Sequence, residues 1–144
     1  MAKGYPDFFG FSIFPQYGSF QFDVINVNVP NLVNTELVAV AGKGVTHSGI
    51  IEVSGTDLSL TDYFTVVVDS TLIQYVDIED IFPGGFTTVK DYPMTCSYWR
   101  YSDEKYKFKI NSGITFRDSF AIWMVQVSGA AATVAGWLSW YKLV

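Results

Sequence analysis

The stretch that most constrains the fold is a long uncharged run near the end of the sequence. Residues 119–141 contain no Asp, Glu, Lys or Arg. A run of about 20 apolar residues is long enough to cross a bilayer as a helix. Trp123 and Tyr141 lie towards the two ends of the run. Membrane helices often carry Trp and Tyr at these positions, which lie at the membrane–water interfaces. The run is therefore either a membrane helix or part of a sheet, and the two alternatives lead to different classes of protein.

The hydrophobic pattern inside this run has the two-residue period that is typical of β-strands. Before a Ser-Gly-Ala-Ala sequence at residues 128–131, one face carries Ala121, Trp123, Val125 and Val127, and the other carries Ile122, Met124 and Gln126. After it, Val134, Leu138 and Trp140 oppose Ala135, Trp137 and Ser139. We predict that the run forms the closing β-hairpin of a sheet, with one face on the core and the other on another subunit.

The same alternation recurs along the rest of the chain. In residues 105–110, KYKFKI, three lysines alternate with three apolar side chains, as in a half-buried strand. Residues 63–81 contain two β-branched runs on either side of Asp69-Ser70-Thr71, which predicts a hairpin. Such segments number about eight to ten, separated by turn residues. We predict an all-β fold over residues 21–144, with the strand spacing of an antiparallel β-sandwich or a barrel.

Residues 18–30 contain two alternating patterns that are out of phase. Phe20, Phe22 and Val24 share one strand face, whereas Ile25, Val27 and Val29 share the other. A strand that buries one face only would need an irregularity to bring both sets to the core. We therefore predict a bulge or a sharp twist near Val24 and Ile25.

The N-terminal residues are rich in phenylalanine. Six of the 12 phenylalanines fall within residues 1–22. Residues 1–20 form either the first strand of the core or an aromatic-rich arm that docks on a neighbouring subunit, because chain termini are poorly ordered unless they are tied down. In an arm, the contacts are expected from Phe8, Phe9, Phe11 and Phe14.

The composition points to assembly. Charged residues make up 16% of the chain, against a usual value of about 25%, and aromatic residues reach 17%. Because interface cores are enriched in aromatic residues and depleted in charge, we predict a homo-oligomer or a part of a larger assembly. Trp123, Trp137 and Trp140 are expected to join the arm in these contacts. The net charge of −5 argues against nucleic acid as the main partner, since phosphate binding requires a basic face.

The sequence offers little material for catalysis. His47 is the only histidine and Cys96 the only cysteine, so neither a His/Cys zinc site nor a Ser-His-Asp triad is predicted. Asp77, Glu79 and Asp80 cluster at the end of a predicted strand. They form either a calcium site or, as we favour, a solvated strand end. We predict a non-enzymatic protein without a metal or a cofactor.

One segment has the composition of a recognition site. Within residues 96–106, Trp99 and Tyr101 fall on one strand face and Tyr98 and Arg100 on the other. Exposed Tyr, Trp and Arg are frequent binding anchors, so these four residues would bind a glycan or a receptor. The alternative, which we favour, is ordinary sheet packing with the Arg100 side chain over an aromatic ring.

The order of the segments resembles the small jelly-roll domains of viral and phage virion proteins. The likeness lies in the hairpin with an Asp turn, in NSGITF at residues 111–116 and in VQVSGAAATVAG at residues 125–136. It covers about residues 45–141. The resemblance implies an antiparallel β-sandwich of the jelly-roll type with an eight-stranded double sheet. It also implies a structural role in a capsid, turret or decoration layer, and other virion proteins as partners.

The start of the sequence lacks the apolar region of a secretory signal peptide, and none is predicted. Together with the resemblance, this predicts a virion protein that is made in the host cytoplasm and has no membrane span. Two other hypotheses stay open at this point: a carbohydrate- or receptor-binding β-sandwich module, and a tail-anchored membrane protein.

The arm hypothesis makes a first prediction. Deleting residues 1–15 should leave a folded domain whose assembly is weaker, because the deleted aromatic residues would contact a neighbour rather than the core. Circular dichroism measures the folding, and native mass spectrometry measures the assembly. A truncated chain that assembles normally, or one that does not fold, would contradict the hypothesis.

Overall fold

The computed structural model describes residues 17–56, 58–59, 61–77, 93–100, 105–127 and 130–143, with the backbone alone for residues 17–18, 76–77 and 96–100. Ten β-strands lie in these ranges. They are β1 (Tyr17–Val29), β2 (Thr35–Ala41), β3 (Gly44–Ser54), β4 (Tyr63–Val68), β5 (Thr71–Asp77), β6 (Met94–Arg100), β7 (Lys105–Ile110), β8 (Thr115–Phe116), β9 (Ser119–Val125) and β10 (Ala132–Leu143). All pairs between these strands are antiparallel.

The strands form two sheets that are wound as a jelly roll. The large sheet has the order β1-β10-β3-β7-β6, with β8 also paired to β3, and the small sheet has the order β2-β9-β4-β5. Eight strands pair in a nested way: β4 with β5, and around this hairpin β3 with β7, β2 with β9, and β1 with β10. A long hairpin rolled up in this way is a jelly roll. The predicted fold class is confirmed, and β6 and β8 extend the large sheet.

The uncharged run forms two strands, as predicted, but they do not form a hairpin. β9 lies in the small sheet between β2 and β4, whereas β10 lies in the large sheet between β1 and β3. The nested winding places these two consecutive strands in opposite sheets, so each has other partners. Each is a central strand with a neighbour on both sides and the core beneath its inner face. Within the described ranges, no helix is long and apolar enough to span a membrane.

Strand β1 is regular, and the predicted bulge near Val24 and Ile25 is wrong. Its pairing with β10 runs without a shift from Ser19 to Val29. The inner face carries the buried Ile25 and Val29, and the outer face carries the exposed Phe20, Phe22 and Val24. Two apolar sets in opposite phase therefore mark a strand with two apolar faces, since successive side chains point to opposite sides of a sheet.

Two other patterns are confirmed. In β7, Tyr106, Phe108 and Ile110 are buried, and the lysines between them face outwards. The predicted hairpin is formed by β4 and β5. It turns at Asp69 and Ser70, whose φ angles of 52° and 65° are both positive, as a two-residue type I′ turn requires.

Aromatic rings connect the two sheets. Phe64 of the small sheet and Phe108 of the large sheet are fully buried, and their ring centroids lie 4.7 Å apart at 66°. Near the other end of the core, the Phe116 ring lies 5.5 Å from Trp140 and 5.8 Å from Phe120. Such pairs contribute about 0.5–1.5 kcal/mol beyond the burial of their area. The two sheets are therefore held in register by specific ring contacts.

The core contact makes a prediction about stability. Phe108→Ala should lower the free energy of unfolding by about 3–5 kcal/mol, because it leaves a cavity opposite Phe64. The neighbouring Lys107→Ala is the matched control. It removes an outward side chain that lies 3.3 Å from Glu52, and such surface pairs contribute at most about 1 kcal/mol. Urea unfolding measures both effects, and equal losses would contradict the assignment of inner and outer faces.

Candidate functional site

The outer face of the large sheet carries a cluster of aromatic and aliphatic side chains at one end. We call this cluster the aromatic face. Its members are Phe20, Phe22 and Val24 of β1, His47 and Ile50 of β3, and Trp137 and Tyr141 of β10. The exposed fractions of Phe20, Phe22, Val24 and Ile50 are 53%, 54%, 73% and 41%. Soluble monomers rarely leave large contiguous apolar areas uncovered, so this face is a candidate binding surface.

The strand register makes the face continuous. Trp137 stands directly opposite Val24 on one side and Ile50 on the other, so the three side chains form a row across β1, β10 and β3. The Phe22 ring stacks on Trp137, with centroids 5.5 Å apart and planes at 20°. Phe20 meets Tyr141 edge-on at 5.5 Å. Rings that already hold one another lose little side-chain entropy on binding, which makes the surface preorganised.

Polar groups beneath the rings of the aromatic face form hydrogen bonds within the chain. The buried Ser139 hydroxyl donates to the carbonyl oxygen of Ser48 at 3.1 Å. The same Ser139 oxygen lies 3.3 Å from Nδ1 of His47. The His47 ring in turn meets Tyr141 edge-on at 5.5 Å. The only histidine of the chain therefore packs as part of the aromatic face.

A charged row bounds the aromatic face on the same side of the sheet. Glu52 of β3 lies 3.7 Å from Lys105 and 3.3 Å from Lys107 of β7. Lys109 stands opposite Ile50 in the register of β3 and β7. The apolar area is thus confined to β1, β10 and one end of β3. An apolar centre beside a polar rim is the usual arrangement of a protein interface.

A smaller apolar area lies on the outer face of the small sheet. Tyr63 and Tyr75 pack with their ring centroids 4.7 Å apart. Leu72 and Tyr75 are both more than half exposed. Thr65 stands between Trp123 and Tyr75 in the strand register, so Trp123 belongs to the same outer face. Both outer surfaces of the sandwich therefore carry aromatic side chains.

The structure places the predicted assembly residues in three locations. Trp137 lies at the centre of the aromatic face, and Trp123 lies half-buried on the outer face of the small sheet. Trp140 points inwards, is buried in the core of its own chain, and donates from Nε1 to Oδ2 of Asp23 at 2.8 Å. Little of its ring is left for a neighbour. The arm residues Phe8, Phe9, Phe11 and Phe14 lie outside the described residues.

The predicted ligand-binding residues lie in and after β6. Tyr98, Trp99 and Arg100 are part of this strand, where the backbone alone is described, and Tyr101 lies outside the described residues. β6 pairs with β7 and forms the edge of the large sheet opposite β1 among the described strands. Binding of a glycan or a receptor by this segment stays a prediction.

Four members of the aromatic face were not predicted to lie on a binding surface, namely Phe20, Phe22, Val24 and Ile50. The signal was present in the two apolar sets of residues 18–30. A bulge explains such a pattern only if one face of the strand is solvated. The alternative, a regular strand with two apolar faces, requires something to cover the outer face.

Two carboxylates on either side of β4 are structural anchors. Asp62 is fully buried. Its Oδ2 accepts hydrogen bonds from the Tyr106 hydroxyl at 3.1 Å and from the Ser59 backbone N–H at 3.0 Å, and its Oδ1 accepts one from the Val127 backbone N–H at 2.8 Å. Asp62 thus joins the loop before β4, the strand β7 and the segment that follows β9.

Asp69 is the second anchor. Its carboxylate accepts hydrogen bonds from the backbone N–H groups of Arg117 at 3.0 Å, Asp118 at 2.6 Å and Ser119 at 3.0 Å. These donors, with Asp118 the strongest, hold the pKa of the Asp69 carboxyl below its ordinary value of 3.8. The β4–β5 turn is thereby fixed to the turn between β8 and β9.

Among the side chains that the structure describes, no three His, Cys, Asp or Glu groups converge on a point that could hold a metal ion. Asp77 is described by its backbone alone, and Glu79 and Asp80 lie outside the described ranges. The choice between a calcium site and a solvated strand end at these residues stays a prediction.

No protein-family model matches the sequence, and no curated protein matches it. The functional assignment therefore depends on the geometry of the chain itself, above all on the aromatic face.

The Asp69 anchor makes a prediction about pH. Because folding lowers this pKa, the charged carboxylate stabilises the fold fully above the unfolded-state pKa of 3.8, and this contribution is lost as the pH falls through the folded-state value. Asp69→Asn should therefore be less stable than the parent at pH 7, and the difference should shrink below about pH 4. Urea unfolding at pH 7 and pH 3 measures this. Glu36→Gln controls for the loss of one surface charge, and an Asp69→Asn deficit that is equal at both pH values would contradict the prediction.

Proposed function

We propose that the protein is a non-enzymatic structural subunit that assembles with further copies of itself through apolar, aromatic-rich faces. The observation that carries this proposal is the aromatic face. It is an exposed, preorganised and bounded apolar surface on a chain with few charges. Interfaces between subunits have this composition at their centre.

The size of the face indicates the kind of assembly. Complete burial of a large apolar side chain stabilises by about 1.5–3 kcal/mol, so covering the exposed parts of Phe20, Phe22, Val24 and Ile50 contributes roughly 3–7 kcal/mol. Association costs about 4–15 kcal/mol in lost freedom of motion. One such contact is therefore weak by itself. A copy that makes several contacts, as in a closed ring or shell, gains much more from each.

The described polar groups support a role without catalysis. Asp62 and Asp69 use their carboxylate oxygens for hydrogen bonds to the fold, and Asp23 accepts from the Trp140 indole. His47 packs among rings. These four groups are thus engaged in holding loops and side chains in place.

We further propose that the assembly is a virus particle, with the chain in a capsid, turret or decoration layer. Two observations support this. The nested pairing of eight strands is the winding used by many viral capsid subunits. Residues 45–141 also resemble the small jelly-roll domains of virion proteins. Synthesis in the host cytoplasm and contacts with other virion proteins are part of this proposal.

The proposal predicts that the face determines the mass of the protein in solution. The full chain should be oligomeric, and Phe22→Ser/Val24→Asp should shift it towards the monomer, because a charge and a hydroxyl replace two exposed apolar side chains at the centre of the face. Native mass spectrometry and light scattering across a concentration series measure this shift.

Leu32→Ser/Val33→Ser is the matched control. It also removes two exposed apolar side chains, but these lie in the turn after β1 and outside the face. Its mass should equal that of the parent. A parent chain that is monomeric at all concentrations would overturn the proposal, as would a face variant that assembles like the control.

A further inference from the structure

The aromatic face lies on the outside of the sheet, and no other described segment packs over it. We propose that it binds residues 1–16 of a neighbouring copy. This inference rests on the proposed function, since it names the partner of the same surface.

The place where the chain enters the sheet favours a neighbour over the same copy. β1 is an edge strand among the described elements, and it begins at Tyr17, opposite Leu143. The chain then runs along β1 towards Phe20, Phe22 and Val24. The preceding segment therefore joins the sheet from the side away from these residues. It would have to reverse at once to cover its own face, whereas the face of an adjacent copy requires no reversal.

The chemistry of the segment matches that of the face. Residues 8–16 have the sequence FFGFSIFPQ, which contains four phenylalanines and no charged residue. In an extended segment, Phe9, Phe11 and Ile13 point to the same side. The face is also free of carboxylate and ammonium groups, and its charged neighbours begin only at Glu52 and β7. Aromatic rings that meet the stacked Phe22 and Trp137 would find a surface of the same polarity.

The lengths are compatible. Nine extended residues span about 30 Å at roughly 3.3 Å per residue. The face is about 10 Å wide across three strands, and Phe20 lies about 13 Å from Val24 along β1 by the same spacings. Residues 8–16 can therefore cover the face and still leave length to bridge the gap between two copies. The exposed edge of β1 would also accept an added strand.

The test is a complementation experiment with two full-length variants. The arm variant is Phe9→Ser/Phe11→Ser, which keeps the face intact, and the face variant is Phe22→Ser/Val24→Asp, which keeps residues 1–16 intact. Each alone should associate more weakly than the parent by roughly tenfold or more, because loss of central aromatic anchors has effects of this size. Mixed together, the two should form hetero-oligomers, because the intact segment of one variant fits the intact face of the other. Native mass spectrometry resolves the two chains by mass.

A synthetic peptide of residues 1–16 provides the second part of the test. It should lower the mass of the parent oligomer and bind the arm variant, but it should not bind the face variant. Leu72→Ser/Tyr75→Ser on the small sheet is the control, and the peptide should lower the mass of its oligomer as it lowers that of the parent. Should the face variant unfold, Val24→Ser replaces it, since Val24 is the most exposed member of the face.

The outcomes separate this inference from the proposed function. If the face variant weakens association but the arm variant does not, the faces contact each other directly, and only this inference is overturned. Two variants that both dissociate but do not complement each other show that the segment covers its own face, which also overturns it. An arm variant that does not fold shows that residues 1–16 belong to the core of their own chain, with the same consequence. If neither variant changes the mass, the proposed function fails as well.

Discussion

The pairing of β1 with β10 is the constraint on which the rest of the sandwich depends. It brings Tyr17 opposite Leu143 and so joins the two ends of the described chain. All other nested pairs lie inside it. Pairing β1 with β10 closes a loop that contains all the other strands. The entropic cost of closing a loop rises only weakly with its length, but contacts between residues far apart in sequence form at a low rate. The outer strand pair therefore gains from the prior formation of β4 and β5, whose two-residue turn is local.

β10 shows how closely the strands must approach. At Gly136, a Cβ atom would overlap the carbonyl oxygen of Ile50 on β3. A glycine in the interior of a strand weakens it, yet here it permits the contact of two neighbouring backbones. One residue later, Trp137 stands opposite Ile50 on the outer face. The centre of the large sheet thus combines the smallest side chain on the inner face with the largest on the outer face.

Much of the fold could be predicted from the two-residue period of the apolar side chains and from the turn residues between the strands. The alternation in β7 identified Tyr106, Phe108 and Ile110 as buried, and turn residues located the hairpin at Asp69 and Ser70. Which strands pair with one another in the sheets could not be predicted in this way. β9 and β10 have the sequence of a hairpin, but a strand pattern specifies which side chains share a face and contains no information about the neighbouring strand. Long-range packing decides that.

The candidate surface was partly predictable for a related reason. Low charge and many aromatic residues indicate that apolar surface is left over after the core is filled, and Trp137 was expected to lie on it. The sequence does not specify which of two apolar faces of a strand is the inner one. In residues 18–30 that choice depends on the packing of the two sheets, which places Ile25 and Val29 in the buried core and leaves Phe20 and Phe22 outside it.

The Asp69–Ser70 turn has a consequence for how this sequence can change over evolutionary time. Both residues have positive φ, a conformation in which Asn-Gly is more favourable. Replacement by Asn-Gly would lower the conformational strain in the backbone of the turn. It would also remove the charged acceptor for three consecutive backbone N–H groups some 48–50 positions later in the chain. The two segments are therefore expected to vary together, so that a diverged relative that lacks the acid should also have a rebuilt turn before β9. Such paired change would identify the relationship where overall sequence similarity no longer does.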